Sequence, residues 1–382
     1  MVNNILILGN GFDLAMGRKT SYGDFLRFLN SISVQSSNSE EFFDTNIIDG
    51  LIQEKKIEKD DYFSKISKNL FLTYINDNQK KFGKKWSSIE LVISDIAEAI
   101  AFFKERGKLD IDFKGESNFT AIKYLKNNIE EIVPGYSEHS SNIGFQKAMD
   151  VCNEKFIQAL EELTDYLEFY LTYLDKLDFD SEQRIVEQHS SLDAIEGLEK
   201  AKVLTFNYTN TAKVLLEIFE ENTHFIHGRI DFARDKKSIN TMVFGIEDKE
   251  DKEDKTENIN PDLISYQKFY QRIIKETGSD YRKFFENPKD SGKSVDDMNI
   301  VVFGHSVDPL DKEIFEKCFK LAEERGEKYK FIFNYYDEKA KREIVKNLTI
   351  ILGKDELISL TAEQKVAFVK CSDKEKMQKE LI

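Results

Sequence analysis

The chain has 382 residues, 40% hydrophobic and 12% aromatic, with 30 Phe, 15 Tyr, only 4 Pro and a formal net charge of -15. That length exceeds the usual single domain, so two domains or one domain with a large insertion are expected, with apolar area enough to fold without disulfide staples. The acidic balance, with no basic stripe, sets duplex nucleic acid aside as a partner.

The first element is the apolar run Asn4 to Leu8, a buried strand that meets Gly9-Asn10-Gly11-Phe12-Asp13-Leu14. Strand, glycine turn and helix start follow one another. Glycine there allows positive φ and lets a phosphate approach the amides of the next helix, so a nucleotide is the first ligand to consider. The spacing is G-x-G without the third glycine of the dinucleotide fingerprint, and a strand-to-helix turn can also need glycine for purely steric reasons.

From about Val34 to Lys200 the chain shows helical periodicity and is too long for a plain strand-to-helix connection. Ile89, Val92, Ile93, Ile96, Ile100 and Phe103 form one stripe, and Phe156, Leu160, Leu163, Leu167, Tyr170 and Leu174 another. Both carry the spacing of packed helices. A helical insertion domain over 34–200 is expected, within a nucleotide-binding domain made of 1–33 and 201–382. Its stripes leave self-association open.

Further apolar runs read as strands at Val203 to Phe206, His224 to His227, Met242 to Phe244, Ile300 to Phe303, Lys330 to Tyr335 and Val366 to Val369. Their alternation with helix or turn chemistry predicts an α/β fold with a mostly parallel, doubly covered sheet. The charge-alternating run Glu247 to Lys255 reads as a solvated loop or helix edge. Cys152, Cys318 and Cys371 form no C-x-x-C pair, so neither a disulfide framework nor a cysteine zinc site is expected, and no metal is. Buried thiols in a reducing cytosol fit this usage. With no apolar run of membrane length, a cytoplasmic protein without membrane contact is expected.

Three segments fall at predicted carboxyl ends of strands, where open α/β sheets hold ligands. Asn207, in Phe206-Asn207-Tyr208-Thr209, either caps the helix that follows or holds a ribose or water. His227, before Gly228, is a candidate general base, because imidazole titrates near working pH; His224 reads as a packing or surface residue. In Gly304-His305-Ser306-Val307-Asp308-Pro309-Leu310-Asp311, Asp308 reads as an N-cap, Pro309 as the first helical residue and Asp311 as the third, with the helix stopping near Gly326. Two carboxylates would repel a phosphate there, so this loop should meet sugar or base. A Ser hydrolase reading of His305-Ser306 lacks the G-x-S-x-G elbow.

Taken together, these stations resemble the AbiH family of bacteriophage abortive-infection proteins. The carrying residues are Gly9-Asn10-Gly11-Phe12-Asp13-Leu14-Ala15 with Thr20-Ser21-Tyr22 and Asp24-Phe25, then Trp86-Ser87-Ser88-Ile89-Glu90, Phe206-Asn207-Tyr208-Thr209, Ile226-His227-Gly228, Phe244-Gly245 and Gly304-His305-Ser306 with Asp311. The arrangement is also distantly similar to the Rossmann-like, sirtuin-like nucleotide fold, in which a glycine loop, a strand-end Asn and a His-Gly step surround NAD. Where the sirtuin loop carries small residues, this chain has Asn10 and Phe12, and the four-cysteine zinc module is absent, so protein deacylation is not expected.

The resemblance implies cleavage of the nicotinamide-ribose bond of NAD, with Asn207 and His227 catalytic and Gly9, Asn10, Gly11, Phe12, Asp13, Gly304, His305, Ser306 and Asp311 on the cofactor. Asp13 either contacts ribose or caps its helix, and Glu90 either closes over the site or is a surface residue. A phage-derived trigger or homo-oligomer is the implied partner beside the nucleotide. A non-enzymatic nucleotide sensor and a nuclease are the competing functions.

Overall fold

The computed structural model of the chain describes residues 2–33, 43–82, 89–110, 115–137, 143–180, 189–235, 238–246, 260–286, 297–325 and 328–382. In chain order these hold β1 (Asn3–Leu8), α1 (Asn10–Ala15), α2 (Tyr22–Ser33), α3 (Thr45–Lys55), α4 (Lys59–Lys68), α5 (Leu70–Phe82), α6 (Ile89–Arg106), α7 (Phe119–Ile132) and α8 (Phe145–Asp175). Then follow β2 (Lys202–Thr205), α9 (Thr211–Leu215), β3 (Thr223–Phe225), α10 (Pro261–Ile264), α11 (Lys268–Ile274), β4 (Met298–Phe303) and α12 (Lys312–Glu324). The chain ends with β5 (Tyr329–Tyr335), α13 (Glu338–Leu352), α14 (Lys354–Ala362), β6 (Val366–Lys370) and α15 (Lys374–Glu380).

The fold is α/β. Among the described residues six strands form one parallel sheet in the order β3-β2-β1-β4-β5-β6. The strands read as unbroken apolar runs because both faces are covered. Along β1, Ile5 and Ile7 join a core with Phe315 and Phe319 of α12 and Leu348 of α13, whereas Leu6 and Leu8 join Phe12, Met16 and Met377 on the opposite face. The alternation repeats along β4, with Ile300 and Val302 on the first face and Val301 and Phe303 on the second. From β1 the order runs outward in two directions, so the strand order reverses between β1 and β4, at the centre of the sheet.

The chain divides into two compact units. The sheet unit comprises Met1–Ser21, Leu174–Asp231 and Glu276–Ile382, and the helical unit comprises Tyr22–Tyr173 and Phe232–Lys275. The helical unit is therefore assembled from two segments, which differs from the single insertion over 34–200 read from the sequence. Both helical stripes exist: the α6 stripe is fully buried, and so is that of α8.

Residues Met242 to Phe244, expected as a strand, belong to the helical unit and to no sheet. The segment is buried, and side chains on α11 and at its C-cap make the hydrogen bonds that a neighbouring strand would make. The Gln271 amide accepts from the Phe244 amide at 2.9 Å and donates to its carbonyl at 3.0 Å, while Lys275 Nζ donates to the Met242 carbonyl at 2.7 Å. Gly245 is needed for this close approach, since a Cβ there would sit 2.5 Å from the Tyr266 carbonyl oxygen. Glu90 is also in this unit, 3.3 Å from the buried Lys268 amine. Trp86, Ser87, Ser88, the run Glu247 to Lys255 and the expected stop at Gly326 lie outside the described residues.

Candidate functional site at the carboxyl edge of the sheet

The loops after β1 and β4 are pressed together. A Cβ on Gly9 or Gly11 would sit 2.7 Å from the Gly304 carbonyl oxygen, and one on Gly304 only 2.0 Å from the Phe12 amide nitrogen. Positive φ belongs to Gly304, at 71°, and to neither Gly9 nor Gly11. The β1 glycines are thus required by the neighbouring backbone, the steric reading of the motif, and not by a left-handed turn. Three amides of this loop are also committed: Gly9 donates to the Phe303 carbonyl, Gly11 to that of Gly304 and Phe12 to that of Gly9.

The loop side chains divide between core and rim. Phe12 is buried and meets Phe303 edge-on, with ring centroids 5.9 Å apart, so it is a core residue. Asn10 is exposed and accepts from the Thr20 hydroxyl at 2.7 Å. Asp13 neither caps α1 nor faces solvent. It accepts from Thr209 Oγ1 at 2.5 Å and from Asn207 Nδ2 at 3.2 Å, and burial pushes its carboxyl up despite the pull of Arg18 and of its hydrogen-bond donors.

Asn207 does not cap α9. Its Nδ2 donates to Asp13 and also to the Gly9 carbonyl at 3.1 Å, tying the end of β2 to the loop after β1. Nδ2 makes both bonds, so Oδ1 is the atom Asn207 has to offer a ligand.

Sequence reasoning missed the network beneath this contact. Arg18, with no side-chain exposure, donates through Nε to Asp178 at 2.8 Å, through Nη2 to Asp175 at 2.6 Å and through Nη1 to Thr211 at 2.6 Å. Thr211 in turn donates to Thr209 at 3.0 Å, next to Asp13. Burial raises the Asp175 carboxyl to about 6 against the pull of Arg18. Nothing in local periodicity marks a lone arginine after a short helix as the centre of such a network.

The histidines converge on one carboxylate. Asp311 Oδ1 lies 3.3 Å from His227 Nε2, and its Oδ2 lies 3.5 Å from His305 Nε2; all three residues are buried. A short 3-10 turn over Pro309–Asp311 leads into α12, so Pro309 is the first helical residue and Asp311 the third, as the sequence reads; Asp311 is also the N-cap residue of α12, where it makes no side-chain capping bond and turns to the histidines instead. The Val307 amide donates to His305 Nδ1 at 2.8 Å, which places the neutral imidazole's proton on Nε2, toward Asp311. To reach this geometry Val307 adopts φ 56°, rare for a β-branched residue and not readable from sequence.

Phe206 packs against both imidazoles, with centroids 5.4 Å from His227 and 4.3 Å from His305. β3 ends at Phe225, so His227 lies two residues past the strand, where the turn closes through the Gly228 amide and the Phe225 carbonyl. His224 is a packing residue, 5.5 Å from Tyr281, and burial lowers its imidazole to about 4. Gly11, Gly304, His305 and the exposed Ser306 line a cavity of about 620 Å³ beside the loops. Among the described residues no group of three His, Cys, Asp or Glu side chains is arranged to hold a metal ion, and no helix is long and apolar enough to cross a membrane.

Residues 5–335 match the family model for bacteriophage abortive infection AbiH. The chain belongs to the AbiH family. The match covers the loops after β1, β2, β3 and β4, so the site just described lies within the family region, and phage abortive infection is the function that membership indicates. No curated protein and no solved structure matches this AbiH chain.

Proposed function

We propose that this AbiH protein is an abortive-infection enzyme that hydrolyses NAD at the nicotinamide-ribose bond, on the carboxyl edge of its sheet. The observation that carries the reading is the Asp311 carboxylate set between His227 and His305 at that edge. The strand order supports it, because the sequence β3-β2-β1-β4-β5-β6 is that of Rossmann-like sheets, which bind dinucleotides where the order reverses.

In the proposed reaction the glycosidic bond breaks and its electron pair goes to the nicotinamide nitrogen, leaving oxocarbenium character on the ribose. Water oriented by Asn207 Oδ1 attacks the anomeric carbon, and its proton passes to His227. Asp311 stabilises the imidazolium that forms. General-base help of this kind contributes about 10²- to 10⁴-fold. Because three amides of the β1 loop are already donated, the pyrophosphate falls to the Asn10 amide side chain and the Ser306 hydroxyl flanking it.

Burial of Asn207, His227 and Asp311 favours a second reading, a sensor that binds nucleotide without turning it over. Purified protein given NAD separates the two. The enzyme releases nicotinamide and ADP-ribose and loses turnover in His227→Ala while keeping most of its NAD affinity. A sensor binds NAD with no product in either protein, and divalent-metal-dependent cleavage of RNA or DNA would favour a nuclease instead.

A further inference from the structure

The cavity beside the loops extends over the other half of the sheet. Its wall is formed mostly by apolar and aromatic groups, among them Ala15, Tyr335, Ala340 and Ile344, with the largely exposed Tyr336 at its rim. Asn334, the penultimate residue of β5, lines it and is only 4% exposed. Its Oδ1 accepts from the buried Ser191 hydroxyl at 2.6 Å, which fixes the amide, and its Nδ2 has no hydrogen-bond partner. A buried amide donor left unmade costs about 1–3 kcal/mol, so a partner for it is worth seeking.

We infer that this cavity is a base pocket, which takes the adenine ring of an adenosine nucleotide with a ring nitrogen accepting from Asn334 Nδ2 and Tyr336 stacking at the rim. Several features favour a flat, uncharged heterocycle over a phosphate. The walls are apolar, Asn334 is neutral, and the Asp337 and Glu343 carboxylates also line the cavity, opposed by one cation, Lys339. An aromatic ring has two faces for Tyr336 and the aliphatic wall, and edge acceptors for the amide.

The inference rests on the proposed nucleotide reading and assigns one end of the ligand. Asn207 follows β2 and Asn334 stands one residue before the end of β5, three strand spacings apart, or roughly 14 Å. A dinucleotide crossing the β1 and β4 loops would lay its scissile ribose near Asn207 and His227 and its adenine in this pocket.

Cys371 provides a readout independent of turnover, because it lines the same cavity while Cys152 and Cys318 are fully buried. The full chain is labelled with a maleimide, the modified peptide is identified, and the rate at Cys371 is followed with AMP or with ribose 5-phosphate. AMP slows labelling in a saturable way, and ribose 5-phosphate, which lacks the base, does not. Asn334→Ala weakens AMP protection about 5- to 10-fold, the loss one neutral hydrogen bond supports. Ala340→Trp, which fills the pocket, abolishes protection while circular dichroism is unchanged.

Labelling unaffected by AMP, or slowed equally by ribose 5-phosphate, overturns the base pocket. The two readings fail separately. AMP protection without NAD turnover leaves the pocket standing and removes the hydrolase, whereas turnover with an unaltered KM in Ala340→Trp removes the pocket and leaves the hydrolase.

Discussion

Gly304 is the position where one methyl group should do most damage, and Gly17 is its control. Gly304 has φ 71° and Gly17 has φ 83°, so alanine at either meets the cost of a left-handed residue, about 1–2 kcal/mol. The surroundings differ. Around Gly17 a Cβ meets nothing within 4 Å, whereas at Gly304 it would lie 2.0 Å from the Phe12 nitrogen and 2.4 Å from the Gly11 carbonyl carbon. Those are backbone atoms with no rotamer to yield, so the loops after β1 and β4 must part. Overpacking of this kind adds about 1–3 kcal/mol, occasionally more. For a unit of this size each kcal/mol lowers the melting midpoint by about 2–4 °C, so Gly304→Ala should melt roughly 2–12 °C below Gly17→Ala. Differential scanning calorimetry of the two variants reads this directly. Equal midpoints would refute the claim that the two loops are held together by backbone contact. Gly304→Ala should also lose NAD turnover, because the β1 loop, to which Asn207 is hydrogen-bonded, parts from the β4 loop that carries His305.

Replacing Arg18 by Met leaves the half-buried Asp175 and the buried Asp178 without their cation, which should cost about 3 kcal/mol and show as a lower urea midpoint; an unchanged midpoint would mean the network is dispensable. The Asp175 carboxyl is raised to about 6 from 3.8, so its contribution is full below about pH 4 and is lost as pH rises through 6. The melting difference between wild type and Asp175→Asn should therefore shrink from pH 4 to pH 7, and a difference that grows would contradict this sign. Gln271→Leu removes the amide that holds Phe244 through both backbone groups and should cost about 1–3 kcal/mol in the helical unit. Hydrogen exchange at the Phe244 amide checks it: protection should fall there while the amides of β1 and β4 keep theirs. His305→Ala frees one side of Asp311 and should lower NAD turnover less than His227→Ala does, compared through kcat.

The sheet was legible because burial on two faces leaves a mark that single residues cannot hide. Ile5 to Leu8 and Ile300 to Phe303 are apolar at every position, as a strand sandwiched between two cores must be. The same mark misleads at Met242 to Phe244, where the hydrogen-bonding partner is the side chain of Gln271, 27 residues on, which no periodicity reports. The boundaries of the helical unit were hidden for a related reason: residues 232–275 return to it from a distant part of the chain. Within the site, the strand-end positions of Asn207 and His227 could be read from the runs preceding them. Asp311 was identifiable as part of a helix start, yet its role depends on Val307 adopting positive φ and on His305 presenting Nε2, neither of which local propensity favours. Arg18 and Asn334 gave no signal, since each acquires its meaning only from partners more than 140 positions away.

Cellular NAD provides the most direct test of the proposed activity. It should be measured after expression of wild type, Asn207→Ala and His227→Ala at matched protein abundance, with and without phage. The proposed hydrolase lowers NAD in the wild type, and both substitutions abolish the fall. Constant NAD in cells where the wild-type chain still arrests growth or blocks phage would contradict it.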